Sequence, residues 1–277
     1  MSVLSRQNQA EFKKLGLGIA AISYDSVAIL HDFAARKNIH FPLLSDSDSA
    51  VIRKTGLLND TVERDTPYFG IPYPGMFVLD ARGVITDKYF EDDYKQRDTS
   101  ASVLVRRFGM QAAASGGQTE TKQLRLSIAA SNATVRAGER VALELDIELK
   151  PKMHVYAPGV QSSYLPIEWT MTDSPVAVAH EVSLPKPEML RLEAIGETVP
   201  VFTGKLRLVR DITLADDGKL KAALDADGNF SVEGVLRYQA CDDRICYIPK
   251  DLPLKWKFHY DALDRERSPK EIQHKPR

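Results

Sequence analysis

The chain has 277 residues, 43% hydrophobic and 27% charged, an ordinary globular balance with length enough for two cores. Thirty-seven basic against 38 acidic residues leave a net charge of -1, which offers no electrostatic footprint for nucleic acid or an anionic membrane surface. No apolar run approaches the roughly 20 residues of a membrane span, and two cysteines exclude a disulfide-rich scaffold.

The opening MSVLSRQNQAEFKK lacks an apolar h-region, so no secretory signal is expected there, and a helix is expected over 5–15. LGIAAISYD suits a buried parallel strand. Ser26 then caps a helix whose apolar residues Val27, Leu30, Phe33 and Ala34 recur at helical spacing. FPLLSD reads as a second strand, and SDSAVIRKTGLL as a helix stopped at Gly56. MFVLD and VITDKYF flank a turn at Ala81, Arg82 and Gly83, and a helix over 99–108 closes the region. A mixed sheet covered by helices is the expected architecture.

That order, with PYPGMFVLDARGVI in it, resembles the thioredoxin-like redoxins of the alkyl hydroperoxide reductase and thiol-specific antioxidant type, over about residues 10–108. In that family a proline before the third strand carries a cis peptide bond and faces the reactive cysteine, and the resemblance implies that role for Pro74. The family's nucleophilic cysteine follows the first strand, at a helix amino terminus that can lower its pKa. This chain begins inside what would be that helix and has no cysteine before Cys241. The expectation is a truncated or degenerate redoxin domain over 1–109 without peroxidase activity, its natural chain extending upstream.

MQAAASGGQTETKQ, 110–123, is small and polar and reads as a flexible linker. From there the chain alternates with period two in seven runs: LRLSIAA, VALELDIEL, IEWTMT, VAVAHEVSL, KLRLVRDITL, FSVEGVLRYQA and LPLKWKFHY. Turn residues separate them, at AGE (137–139), near Pro151, and at ADDGK and DADGN, with no helical pattern. These argue for an antiparallel β-sandwich over 124–260, with Trp169 and Trp256 in its core. The charged segment 261–277 reads as a disordered tail.

Cys241 ends one strand run and Cys246 opens the next, with DDRI between them, a common hairpin loop length. Paired positions across such strands lie within disulfide reach. As a staple the bridge is weakly motivated, since so small a ring removes only about 2 kcal/mol of denatured-state entropy. A metal needs two further ligands, and His31, His40, His154, His180, His259 and His274 are scattered without ligand spacing. Reversible dithiol–disulfide exchange remains. Arg244 would favour a thiolate while Asp242 and Asp243 oppose it, so the flanking charges do not say which sulfur attacks.

RYQACDDRICYIPKDLPL resembles the active segment of the amino-terminal periplasmic domain of DsbD-type thiol–disulfide interchange proteins, over about residues 124–258. The resemblance implies an immunoglobulin-like sandwich whose redox pair is Cys241 and Cys246, supported by Tyr238, Gln239, Tyr247 and Pro249. It implies thioredoxin-like or other dithiol proteins as partners and a periplasmic location; neither metal nor cofactor is expected. It also implies an aromatic cap on the disulfide, matched by Phe202 in VFTGKLRLV. Cys241 is the sulfur assigned to the mixed disulfide and Cys246 the one that resolves it. The spacing is one residue shorter than in the best-known member. The second reading is a non-catalytic interaction module with a structural disulfide and an inert thioredoxin-like domain.

Overall fold

The computed structural model describes residues 11–90, 93, 95–160, 164–192, 196–263 and 266–274. It divides into two compact units, Met1–Ser100 with Leu263–Arg277, and Ala101–Ala262.

In the first unit β1 (Ala21–Ser23) and β2 (Leu43–Ser45) pair in parallel around α1 (Val27–Lys37). Ser26 caps that helix, its Oγ accepting from the Ile29 N–H, and Asn38 ends it in the left-handed region at φ 49°. A shorter helix, α2 (Ala50–Lys54), is anchored by the Asp46 carboxylate, which accepts from the N–H groups of Val51 and Ile52. The hairpin of β3 (Gly75–Leu79) and β4 (Ile85–Phe90) closes through Asp80 Oδ1, which accepts from the N–H groups of Arg82 and Val84. β5 (Arg97–Asp98) follows.

The expected mixed sheet is instead two separate pairs, β1–β2 and β3–β4, so β1 and β3 each keep an edge without a ladder partner among the described strands. Pro74 also departs from expectation. No cis peptide bond occurs among the described residues, so the bond before Pro74 is trans.

The segment read as a tail is structured where described. Ser268 Oγ donates to Asp32 Oδ2 at 2.7 Å, and the His274 ring stacks on Tyr24 at 4.3 Å with its Nε2 2.8 Å from Asp25. Stacking and single polar contacts leave no hydrophobic period to read. The helix expected to close the first region, α3 (Ser100–Phe108), falls from Ala101 onward in the second unit.

The second unit is the sandwich. One sheet runs β12 (Ala177–Ser183), β15 (Lys205–Leu214), β9 (Glu139–Leu149), β7 (Leu124–Ala130), β6 (Ala114–Glu120). A second runs β11 (Glu168–Met171), β16 (Asn229–Tyr238), β18 (Lys250–Tyr260), β8 (Thr134–Val135). A third, missed by the sequence reading, runs β13 (Glu188–Leu192), β14 (Glu197–Thr203), β10 (His154–Tyr156), β17 (Ala240–Cys241).

Alternate residues of β9 and β18 fill the core, among them Leu143, Leu145, Leu254, Trp256 and Phe258. Trp169 and Trp256 stack at 5.6 Å, and Trp256 Nε1 donates to the Ala129 carbonyl. Two local expectations fail here. The reading of 110–123 as linker gives way to β6, whose glycines conceal a strand that pairs with β7. The turn read at ADDGK is a helix, α4 (Asp217–Ala222), N-capped by Asp216; six residues are too few to show a period.

Glu144 of β9 is buried at 1% exposure, with Oε2 accepting from the Ala112 N–H and 3.7 Å from Arg207 Nε. Burial first, then Asp146, pushes its carboxyl up to about 7. The native state therefore holds this proton more tightly than the unfolded chain, and the stability so gained is lost as pH rises from the ordinary carboxylate range toward 7. Replacing Glu144 with Gln should raise Tm at about pH 8 and do little at about pH 4, in paired thermal melts.

Candidate functional site

β17 forms the edge of the third sheet and pairs with β10, setting His154 opposite Cys241 and Val155 opposite Ala240. Across β10, His154 stands opposite Thr203, Val155 opposite Phe202 and Tyr156 opposite Val201. Strand alternation then separates two faces. Val155, Phe202 and Ala240 enter the main core, while Tyr156, Val199, Val201 and Cys241 form a small cluster of their own on the other face. Leu190, Leu192, Val160 and Tyr164 pack against that cluster.

Cys241 and Cys246 are joined, S–S 2.02 Å and Cα–Cα 4.0 Å, and they form an isolated antiparallel bridge. Their environments are unequal. Cys241 is 1% exposed, whereas Cys246 is exposed in a loop flanked by Ile245 and Ile248, which are 55% and 86% exposed. Access at the loop therefore belongs to Cys246, the reverse of the order assigned from sequence.

Asp242 shapes the loop. Its Oδ1 accepts from the N–H groups of Arg244 (2.8 Å) and Ile245 (2.9 Å), and its Oδ2 from Tyr247 Oη (2.7 Å). The Ile245 N–H bond, then Tyr247, then the Arg244 N–H hold its carboxyl below the usual range. Gln239 Nε2 donates to the Tyr247 carbonyl, and the Tyr247 N–H to the Ala240 carbonyl.

The other nominated residues sort by face. Tyr247 holds the loop, and Pro249 is exposed beyond it. Tyr238 belongs to the main core and its hydroxyl meets Thr121 at 3.1 Å, so it supports the strand rather than the sulfurs. Phe202 is not the cap. Its register opposite Val155 points it into the core. The aromatic groups at the disulfide are Tyr156, with Oη 3.6 Å from Cys246 Sγ, and Tyr164, whose ring lies 4.5 Å from that of Tyr156. Tyr164 Oη donates to Glu197, and burial first raises both phenols. The sequence reading missed both tyrosines and counted His154 among scattered histidines; the alternation in HVY was the available signal. No cluster of three or more potential metal ligands occurs among the described residues. No helix among them is long and apolar enough to cross a membrane.

Comparison with known proteins divides the chain in the same way. Residues 4–88 match the AhpC/TSA family, and residues 122–253 match "Thiol:disulfide interchange protein DsbD, N-terminal". Peroxiredoxin Bcp of Escherichia coli strain K12 is 34% identical over 99 residues, covering 36% of this chain and 62% of that protein. The putative peroxiredoxin bcp of Coxiella burnetii is 34% identical over 77 residues, covering 28% and 50%. The chain thus spans less than two thirds of the length of these relatives.

Among solved structures, the N-terminal periplasmic domain of ScsB from Proteus mirabilis aligns with TM-score 0.37 and 17% identity, covering 52% of this chain and 51% of that one. The reduced N-terminal domain of Neisseria meningitidis DsbD aligns with TM-score 0.28 and 16% identity, covering 43% and 81%. The two matched stretches fall one in each compact unit, and the stretch similar to the DsbD N-terminal domain covers the β-sandwich segment that carries both cysteines.

The loop's dependence on Asp242 is open to measurement. In Asp242→Ala, the Arg244 and Ile245 amides should exchange with deuterium about tenfold faster, the loss of one charge-assisted hydrogen bond. Protection of the Val232 amide in β16 should not change.

Proposed function

We propose that the second unit performs thiol–disulfide exchange through Cys241 and Cys246, with thioredoxin-like dithiol proteins as partners. The observation that carries this reading is the unequal burial of one bridge, one sulfur sealed beside β10 and the other at an exposed loop.

A partner thiolate attacks Cys246 Sγ. The Cys241–Cys246 bond breaks, its electron pair goes to Cys241 Sγ, and a mixed disulfide joins Cys246 to the partner. The partner's second thiolate then displaces Cys246, leaving the partner oxidised and this pair reduced. Run backwards, the same steps reduce a partner disulfide. Ile245 and Ile248 give the partner an apolar footing around Cys246. An oxidising compartment such as a periplasm suits a disulfide that must persist between encounters. The redoxin region holds no cysteine and is given no thiol step, and with it no peroxidase activity.

Trapping separates the roles. With a thioredoxin that lacks its resolving cysteine and carries nitrothiobenzoate on the remaining one, reduced Cys241→Ser should release nitrothiobenzoate and accumulate a mixed disulfide through Cys246, and Cys246→Ser should capture little. Equilibration against glutathione and dithiothreitol buffers should give a reduction potential above about -300 mV. A lower value would mark the bridge as an inert structural one.

A further inference from the structure

The thiol exchange proposed above leaves one question of proton traffic at the sulfur that solvent does not reach. Cys241 is 1% exposed, so water is a poor carrier of the proton that must leave its sulfur before the bridge can close. Directly across the ladder stands His154, itself 5% exposed. Paired side chains across such strands project from the same face, with Cβ atoms roughly 4.5–5.5 Å apart. His154 Nε2 is buried and has no hydrogen-bond partner among the described residues.

A buried polar atom without a partner is costly. Its survival here has a chemical explanation. A disulfide sulfur carries no proton to donate, whereas a Cys241 thiol does, so the missing donor arrives when the bridge is reduced. Burial lowers the imidazole's affinity for a proton, with Asp243 and then Asp242 acting in opposition, so His154 is held neutral and ready to accept.

We infer that His154 is the general base for Cys241, taking the thiol proton as the disulfide closes and returning it as the disulfide opens. In the closing direction Cys246 is already joined to a partner sulfur. His154 Nε2 accepts the proton from Cys241 Sγ, and the resulting thiolate attacks Cys246 Sγ. The Cys241–Cys246 bond forms, the Cys246–partner bond breaks, and the partner sulfur leaves with the electron pair. The imidazolium then releases its proton to solvent or to the departing thiolate.

The other groups at this face are committed elsewhere. Asp242 is bonded to loop amides and Tyr247, and Asp243 is exposed. Tyr156, whose ring lies 5.6 Å from that of His154, turns its hydroxyl to the Cys246 sulfur. On β14, opposite His154, Thr203 is neutral and donates to Glu188.

The test uses the full chain, fully reduced, and the aromatic disulfide dithiobis(nitrobenzoate). Attack by Cys246 releases one nitrothiobenzoate, and closure by Cys241 releases a second from the mixed disulfide. His154→Phe and His154→Gln should both slow the second release about 100-fold. Both should also remove the imidazole inflection from its pH profile, an inflection that Asp242, Asp243 and Tyr156 do not supply. In the parent chain, the His154 nitrogen-15 signals should shift on reduction as Nε2 gains a donor.

An unchanged second phase with an unchanged pH profile in the Gln variant overturns the role of His154, as do nitrogen signals that ignore reduction. Absence of the first phase in the parent chain defeats the exchange reading itself, so the two failures are told apart.

Discussion

A single disulfide whose sulfurs live in different environments is the constraint on which the site depends. The cause lies in β10, a strand of three residues, His154–Tyr156. Its middle residue, Val155, anchors in the sandwich core opposite Phe202 and Ala240. Once Val155 points inward, His154 and Tyr156 must point outward onto the face where Cys241 lies. A slip of β10 by one residue would turn Val155 out to the site and His154 and Tyr156 into the core, so the hydrophobic demand of Val155 also fixes which side chains face Cys241. The third sheet is thus the means by which the core aims the cysteine pair.

Much of this was legible in the sequence, for reasons that can be named. The sandwich strands were legible where apolar and polar residues alternate with one face buried, as in LPLKWKFHY, where Leu252, Leu254, Trp256, Phe258 and Tyr260 all turn inward. The cysteines were legible because no others occur and the loop between them is short. The third sheet was not. β10 is too short to show a period, and β14 carries Pro200, which reads as a break; its carbonyl nonetheless accepts from the Ala157 N–H. Phe202 was found by motif, but a motif names a residue and not the face it occupies. That was decided by its partner on β10, remote in sequence. His154 was passed over for the same reason, since its meaning comes from a ladder partner and not from its neighbours.

The first unit makes the complementary point. Its βαβ segment and hairpin were read correctly from Ser26, Gly56 and the turn before Val84, because caps and turns are local. How those pieces join is not local. The strands fall into two pairs among the described residues, with apolar residues such as Ile22, Leu44 and Leu79 left exposed. The region matching the AhpC/TSA family holds no cysteine, and both cysteines lie in the sandwich.

The bridge need not hold its own surroundings together, and this is what suits it to opening. β16 and β18 pair continuously from Asn229↔His259 to Tyr238↔Lys250, which already brings the chain ends of the loop side by side. Asp242 then ties Arg244, Ile245 and Tyr247, and Gln239 ties the carbonyl of Tyr247. None of these bonds passes through sulfur. Against such a frame the entropic gain from closing a ring of so few residues is at most about 2 kcal/mol, and the ladder has already absorbed much of it. Breaking the bond therefore leaves two thiols still side by side, one beneath its strand and one at the loop, in the arrangement that closing the bridge again requires.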